Sequence, residues 1–181
     1  NNIFKEHDLK IFDVEKLPTH GGSLRVYVGH KNSSHRIMSS VDLILEEEKI
    51  NKLTSKETYS DFQSKADKIK NSLLKFLIDS KSEGKIVVAY GAAAKGNTLL
   101  NYSGIKPDLI GYVADAAPSK QNKFMPGSHI PIVNPDSLLE ESFDYLLILP
   151  WNIAEEVVTQ LQDKVDTKVK FLTAIPEVRI I

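Results

Sequence analysis

The chain has 181 residues, of which 41% are hydrophobic and 26% are charged, a balance that suits one compact globular domain. Its formal net charge of −1 gives no general attraction to nucleic acid or to anionic membranes. There is no cysteine, which excludes disulfides and thiol catalysis, and no apolar run approaches the roughly 20 residues that span a bilayer. We therefore expect a cytoplasmic protein, and a start at Asn1 rather than Met suggests a piece of a longer one.

The first part of the sequence predicts a hairpin followed by helices. Segments 8–17 and 24–29 carry the apolar spacing of strands, and a break at 18–23 separates them, so we expect the two to pair. Segment 39–50 predicts a short helix. A longer helix begins within 55–60 and ends at 83–84, with one apolar stripe over about five turns.

From Lys85 onward, strands alternate with helices. We predict strands at 86–90, 109–114, 130–133, 144–149 and 169–174, and helices at 95–103, 135–141 and 153–164. The pattern Asn152-x-x-Glu155 predicts a capped helix start, and the continuously apolar segment 146–149 is typical of a strand buried on both faces.

This alternation predicts right-handed crossovers and a parallel sheet. The expected fold class is α/β, a Rossmann-like doubly wound and mainly parallel sheet preceded by an N-terminal hairpin and helical segment. We divide the chain into residues 1–84, the hairpin with its packing helices, and 85–181, the Rossmann-like domain, which together form one compact unit.

The turn at residues 91–96 has the pattern Gly-x-Ala-x-x-Gly between a strand and a helix. This is a degenerate form of the dinucleotide fingerprint, in which a helix N-terminus binds phosphate. Lys95 adds a positive charge, while Asn97 and Asn101 can hydrogen-bond a sugar or a base. The alternative is that the small residues only let the helix pack closely on the strand, with no ligand present.

Asp115 follows the second strand of the alternating region, where dinucleotide-binding folds place an acid on the ribose hydroxyls. A turn-forming role beside Pro118 explains this residue equally well. Ala93 opposes an NAD site, because its methyl group stands where a glycine lets the pyrophosphate approach.

Further polar residues lie in three other loops. His20, Ser23 and Arg25 suit proton transfer or an anion grip, although a plain hairpin loop is the alternative. Lys120 and Lys123 could flank an anion, but a solvated loop is the commoner explanation. Trp151 follows an inner strand, where it could stack on a base or wedge a helix against the sheet.

Four segments of the chain are distinctive when taken together: Tyr90-Gly-Ala-Ala-Ala-Lys-Gly-Asn-Thr-Leu-Leu-Asn101, Met125-Pro-Gly-Ser-His-Ile-Pro-Ile132, Leu149-Pro-Trp-Asn152 and, at the start, His20-Gly-Gly-Ser-Leu-Arg25. They resemble the C-terminal domain of three-part S-adenosylmethionine-dependent C-methyltransferases, a group that includes enzymes acting on nucleotide-linked keto-deoxysugars. The resemblance runs in order across almost the whole chain.

The resemblance implies that this domain binds the acceptor while two further domains of the same chain, absent here, hold zinc and S-adenosylmethionine. This segment itself is expected to hold no cofactor or metal, and to be inactive alone. Its expected partner besides those domains is a small-molecule acceptor, such as a sugar nucleotide, and neither nucleic acid nor membrane. The acceptor role is carried onto these residues: His20, Ser23, Arg25, Lys95, Gly96, Asn97, Asn101 and Trp151.

No catalytic base is identified from the sequence. Two alternatives to the acceptor-binding domain stay open. One is a nicotinamide-dependent oxidoreductase domain, favoured by Asp115 and the glycine turn. The other is a degenerate nucleotide fold that serves as a packing or oligomerisation module.

Overall fold

The structure is a computed structural model that describes residues 1–19 and 22–181. These divide into two compact units, Asn1–Phe62 and Gln63–Ile181, each of which is described by itself. The division at residues 84 and 85 that the sequence suggested stays a prediction. Every helix in the described ranges is too short or too polar to cross a bilayer.

The first unit is built on the predicted hairpin. Its elements are α1 (Asn2–Glu6), β1 (Leu9–Leu17), β2 (Ser23–His30), α2 (Ser39–Ile50) and a 3₁₀ turn (Lys56–Tyr59). The two strands pair antiparallel, with Leu9 opposite His30 and Leu17 opposite Ser23. Val41 on α2, at 7% exposure, is the one buried apolar side chain among the described residues of this unit.

The second unit contains the sheet. Its helices are α3 (Phe62–Ser82), α4 (Ala94–Tyr102), α5 (Ser137–Glu140) and α6 (Ala154–Leu161), with a 3₁₀ turn (Trp151–Ile153) before α6. Its strands are β3 (Val87–Tyr90), β4 (Val113–Ala114), β5 (Lys123–Phe124), β6 (Pro131–Val133), β7 (Tyr145–Ile148), β8 (Lys170–Thr173) and β9 (Arg179–Ile180).

The strand order is β5-β6-β4-β3-β7-β8-β9, with the five inner strands parallel and both edge strands antiparallel. The chain moves outward from β3 to β4 and β6, and then crosses to β7 on the other side of β3. This confirms the doubly wound, mainly parallel sheet. The reversal between β3 and β7 is a topological switch point, where strand carboxyl ends leave a crevice for ligands.

Apolar residues cover both faces of the sheet. Leu73 and Leu77 of α3 and Leu100 of α4 are buried against one face. Val157 and Leu161 of α6 are buried against the other. Successive residues of β3 alternate between the two cores, as side chains of a strand must. The predicted burial of segment 146–149 on both faces is confirmed, because none of its side chains exceeds 1% exposure.

One predicted strand is much shorter than its apolar run. We expected a strand over 109–114, but β4 contains Val113 and Ala114 alone. The N–H groups of Leu109 and Ile110 both donate to the carbonyl of Lys106, which closes a turn there. Apolar character at residues 109–110 therefore reflects burial in a turn rather than pairing in the sheet.

Candidate functional site

The glycine turn at the end of β3 is covered by the protein itself. Gly91 has φ +86°, in the left-handed region that glycine adopts without strain. A Cβ at this position would lie 2.6 Å from Cδ of Pro150, which follows β7. The proline ring therefore packs directly on Gly91, in the turn where dinucleotide-binding folds bring the pyrophosphate.

Close packing explains the second glycine of the turn. A Cβ on Gly96 would lie 2.6 Å from Cβ of Leu149, so α4 rests directly on the end of β7. A ligand role for Gly96 stays a prediction.

Two of the predicted site residues meet across the switch point. Nζ of Lys95, on the first turn of α4, lies 5.7 Å from the ring centroid of Trp151, which is within cation–π range. Trp151 is half-buried and Lys95 is exposed. The fold thus places a cation and an aromatic ring together at the carboxyl ends of β3 and β7, although their contact with a ligand stays a prediction.

Asp115, at the end of β4, is bound by groups of the chain itself. It is 6% exposed. Its Oδ2 accepts hydrogen bonds from the N–H of Ala92 at 2.6 Å and from Nζ of Lys120 at 3.1 Å, and its Oδ1 accepts from the N–H of Ala117 at 2.8 Å. The acid ties the glycine turn to the loop after β4, which supports the turn-forming interpretation over ribose binding. Burial and, secondarily, the charge of Asp115 raise the pKa of the nearby Tyr90.

An open groove of about 480 Å³ lies beside this turn, on the β4 side of the switch point. One wall consists of residues 92–94 and Asn97, and the other is the loop 119–126 with Lys120, Lys123 and Phe124. The two walls come from parts of the sequence that only the folded chain brings together. A groove of this size matches the range of small-molecule sites, roughly 300–1,000 Å³.

The groove combines apolar surface with polar groups. Phe124 is 63% exposed, whereas the neighbouring Met125 is 2% exposed. The N-cap of α4 is Ala93, which supplies no side-chain hydrogen bond to the first N–H groups of the helix. The buried Oδ1 of Asn97 has no hydrogen-bond partner among the described residues. Together with two lysines, this lining suits an anionic molecule that also carries an apolar or aromatic part.

Asn101 holds the groove's outer loop against α4. Its Nδ2 donates to the carbonyls of Asn97 at 2.9 Å and of Pro126 at 2.8 Å. Nζ of Lys106 donates to the carbonyl of Gly127 at 2.6 Å. A bracing role therefore accounts for Asn101, and its contact with a sugar or base stays a prediction.

The N-terminal candidates lie on the first unit. Oγ of Ser23 donates to the carbonyl of Thr19 at 3.0 Å. The guanidinium of Arg25 donates to Oε2 of Glu15 at 3.0 Å, in an exposed ion pair across the hairpin. His20 lies outside the described residues. The acceptor roles of these three residues stay predictions.

The outer wall of the groove is only partly predictable from the sequence. Lys120 and Lys123, for which the sequence leaves an anion-flanking role open beside a solvated loop, both line the groove, whereas no sequence pattern points to Phe124 itself. The role of the two lysines stays a prediction. The motif at residues 125–132, which directly follows Phe124, is the sequence feature that could have pointed to this wall of the groove. No group of three or more potential metal ligands is found within residues 1–19 and 22–181.

The doubly wound sheet, the glycine turn and the adjoining groove define a Rossmann-like α/β domain with a candidate ligand groove. Sequence comparison matches residues 18–176 to the family of C-methyltransferase C-terminal domains, so the chain belongs to this family and the resemblance is confirmed. The chain is also 31% identical over 179 residues to the C-methyltransferase NovU of Streptomyces niveus. That match covers 99% of this chain and 43% of NovU, so the chain spans less than half the length of this relative.

Proposed function

We propose that this chain is the acceptor-binding domain of an S-adenosylmethionine-dependent C-methyltransferase. The proposed acceptor is a nucleotide-linked keto-deoxysugar or a similar molecule. The observation that carries the proposal is the groove between residues 92–97 and 119–126, which joins apolar lining to lysine ammonium groups. Membership of a C-methyltransferase family supports the reaction class.

The methyl donor and a zinc ion are assigned by this proposal to other domains of the same polypeptide. The residues of this chain do not fit either group. There is no cysteine to bind zinc, and the ring of Pro150 covers Gly91 in the one glycine turn of this kind that the sequence offers. We therefore propose that this chain alone does not catalyse methyl transfer. The cytoplasmic location stays a prediction.

The oxidoreductase alternative is disfavoured by the contacts of Asp115. Its carboxylate accepts three hydrogen bonds from the chain, so the acid that would bind ribose is committed to the protein. The packing-module alternative accounts for Gly96 and Asn101, but gives no reason for an open groove lined by Phe124 and two lysines.

The proposal is tested by filling the groove in the full-length enzyme. Ala94 is exposed and lines the groove, and leucine is well tolerated in helices, so Ala94→Leu should obstruct the acceptor without unfolding α4. We expect a raised KM for the acceptor and an unchanged dissociation constant for S-adenosylmethionine. Thr98→Leu, on an exposed position of the same helix outside the groove lining, is the matched control.

Equal acceptor constants for the wild type, Ala94→Leu and Thr98→Leu would show that the groove does not hold the acceptor. A separate titration addresses the donor assignment. Binding of S-adenosylmethionine to this chain alone at micromolar affinity, about −8 kcal/mol, would overturn it.

A further inference from the structure

The geometry points to a nucleoside-base subsite on Phe124: the groove takes the nucleotide part of the acceptor, and the base stacks on the Phe124 ring. This inference rests on the proposed function, because it names which part of the acceptor this groove recognises. Three features of the groove carry it. Phe124 presents an exposed ring on a paired strand, Lys123 brings an ammonium group to the same lining, and the carboxylate of Asp115 is already hydrogen-bonded by the chain.

The Phe124 ring is exposed on a well-braced frame. On β5, Phe124 pairs with Pro131 and Lys123 with Ile132 of the neighbouring strand. Just outside this pair, the N–H of Met125 donates to the carbonyl of Ile130 at 2.8 Å, and the N–H of Asn122 to that of Ile132 at 2.9 Å. The ring is nevertheless 63% exposed. An exposed aromatic ring on a backbone that the fold holds in place offers a stacking surface to a base.

The charge beside the ring selects an anionic occupant. Nζ of Lys123 donates to the carbonyl of Ser119 at 2.6 Å, a neutral group, so no carboxylate offsets the lysine in this contact. Lys120 is paired with Asp115, so these two side chains together are neutral. Lys120, Asp115 and Lys123 together therefore give one net positive charge to the part of the chain that, with Phe124, lines the groove. A nucleotide meets both demands, since its base supplies a flat ring and its phosphates supply negative charge.

The contacts of Asp115 indicate how the nucleotide is recognised. The carboxylate is 6% exposed and already accepts from the N–H groups of Ala92 and Ala117, which leaves it little access to ribose hydroxyls. We therefore assign recognition of the nucleotide to stacking on Phe124 and to the charge of Lys123. Stacking tolerates different bases, because every base has an aromatic face.

The test is a titration of the 181-residue chain with thymidine 5′-diphosphate, followed by amide chemical shifts and by saturation transfer to the base protons. We expect weak binding, with the largest shifts in residues 92–97 and 119–126. Phe124→Ala should weaken binding about fivefold to a hundredfold, and Phe124→Tyr should restore it. Phe62→Ala, which removes a ring of similar exposure outside the groove lining, should change nothing.

If the alanine variant does not fold, Phe124→Leu replaces it as the test, because leucine keeps apolar bulk without an aromatic ring. It should lose nucleotide affinity to the same extent. Equal affinity of the wild type and both ring-deleted variants would overturn the subsite. So would inorganic pyrophosphate binding as tightly as the nucleotide, which would reduce the groove to an anion site. Undetectable nucleotide binding by a folded wild type would also overturn it, while the Ala94→Leu kinetics would still decide the proposed function.

Discussion

At the scale of single residues, Asp115 shows why position in a fold does not determine a residue's role. It stands where dinucleotide-binding sheets place their ribose-binding acid. Here its two oxygens join the turn after β3 to the loop after β4, through Ala92 on one side and Ala117 and Lys120 on the other. The residue thus joins the two segments that form the walls of the groove.

Asp115→Asn should destabilise the domain. An amide retains one acceptor oxygen, so its NH₂ group would face the N–H of either Ala92 or Ala117 and leave a buried donor without a partner. We expect a loss of about 1–3 kcal/mol in the free energy of unfolding, measured by urea denaturation. Lys120→Ala, which removes the more exposed ion-pair partner, should cost less. Equal stability of Asp115→Asn and the wild type would contradict the bracing role.

The raised pKa of Tyr112 predicts that the folded domain loses stability at alkaline pH. Burial, with a smaller contribution from the charge of Glu141, raises the pKa of Tyr112 to about 12 from its ordinary value of 10.0. The folded state therefore keeps the hydroxyl proton when the unfolded chain releases it. This contribution is fully present below pH 10 and is lost as the pH rises toward 12, and it amounts to about 2–3 kcal/mol.

Urea unfolding between pH 9 and 12, with tyrosinate absorbance recorded in parallel, measures this effect. Tyr112→Phe should show a shallower fall in stability over that interval, because phenylalanine has no proton to lose. The hydroxyl of Tyr112 donates only a long hydrogen bond, 3.5 Å, to the carbonyl of Ser137, so the variant should remain folded. Parallel curves for the two proteins would show that another group controls the alkaline transition.

At the scale of elements, helix α4 is positioned by its contact with the end of β7. Gly96→Ala should destabilise the domain, because the new Cβ would lie 2.6 Å from Cβ of Leu149, an atom fixed to the backbone. Overpacking of this kind costs about 1–3 kcal/mol, and the better helix propensity of alanine returns about 1 kcal/mol of it. We expect a net loss in thermal and urea unfolding.

Thr98→Ala on the exposed side of the same helix is the control for propensity alone. It should leave stability unchanged or raise it by a few tenths of a kcal/mol. If Gly96→Ala behaved like this control, α4 would have room to shift away from β7, and the glycine would not set their distance.

The sequence predicted the inner strands and the helices because their patterns reflect burial. Segment 144–149 is apolar throughout and forms β7, buried on both faces. Edge strands β5 and β9 were missed, since each has two residues and exists through pairing with its neighbour. The capping pattern at Asn152 was wrong, because the 3₁₀ turn at Trp151–Ile153 intervenes and α6 has Ile153 as its N-cap without a side-chain hydrogen bond.

The candidate site was less predictable than the fold. The motif at 91–96 located one wall of the groove correctly. The other wall contains Phe124 on β5, which runs antiparallel to β6 at the edge of the sheet. No pattern within a short stretch of sequence predicts that this pairing forms. The bonds of Asp115 and Asn101 likewise join residues far apart in the sequence, so their roles as braces appear only once the chain is folded.

At the scale of the whole molecule, two regions of the second unit are distinct. One is the switch point between β3 and β7, and the other is the open groove on the β4 side of it. At the switch point, the ring of Pro150 packs on Gly91, and Lys95 and Trp151 lie within cation–π range of each other. The open groove lies toward β4 instead. Lys95 directly follows Ala94, which lines that groove, so its charge stands between the two regions.

Lys95→Ala in the full-length enzyme tests whether that charge serves the acceptor. A cation at the first turn of α4, beside uncapped helix N–H groups, converges with them on a phosphate. Loss of a charge-assisted hydrogen bond costs about 1.5–3 kcal/mol, so the acceptor KM should rise roughly tenfold to a hundredfold while donor affinity stays nearly unchanged. Lys95→Arg should retain most of the activity, since it keeps the charge.

Lys75→Ala, which breaks an exposed ion pair with Asp79 on α3, controls for loss of a surface charge and should leave both constants unchanged. If Lys95→Ala also left both constants unchanged, Lys95 would take no part in holding the acceptor, and the glycine turn would serve only to pack α4 on the sheet.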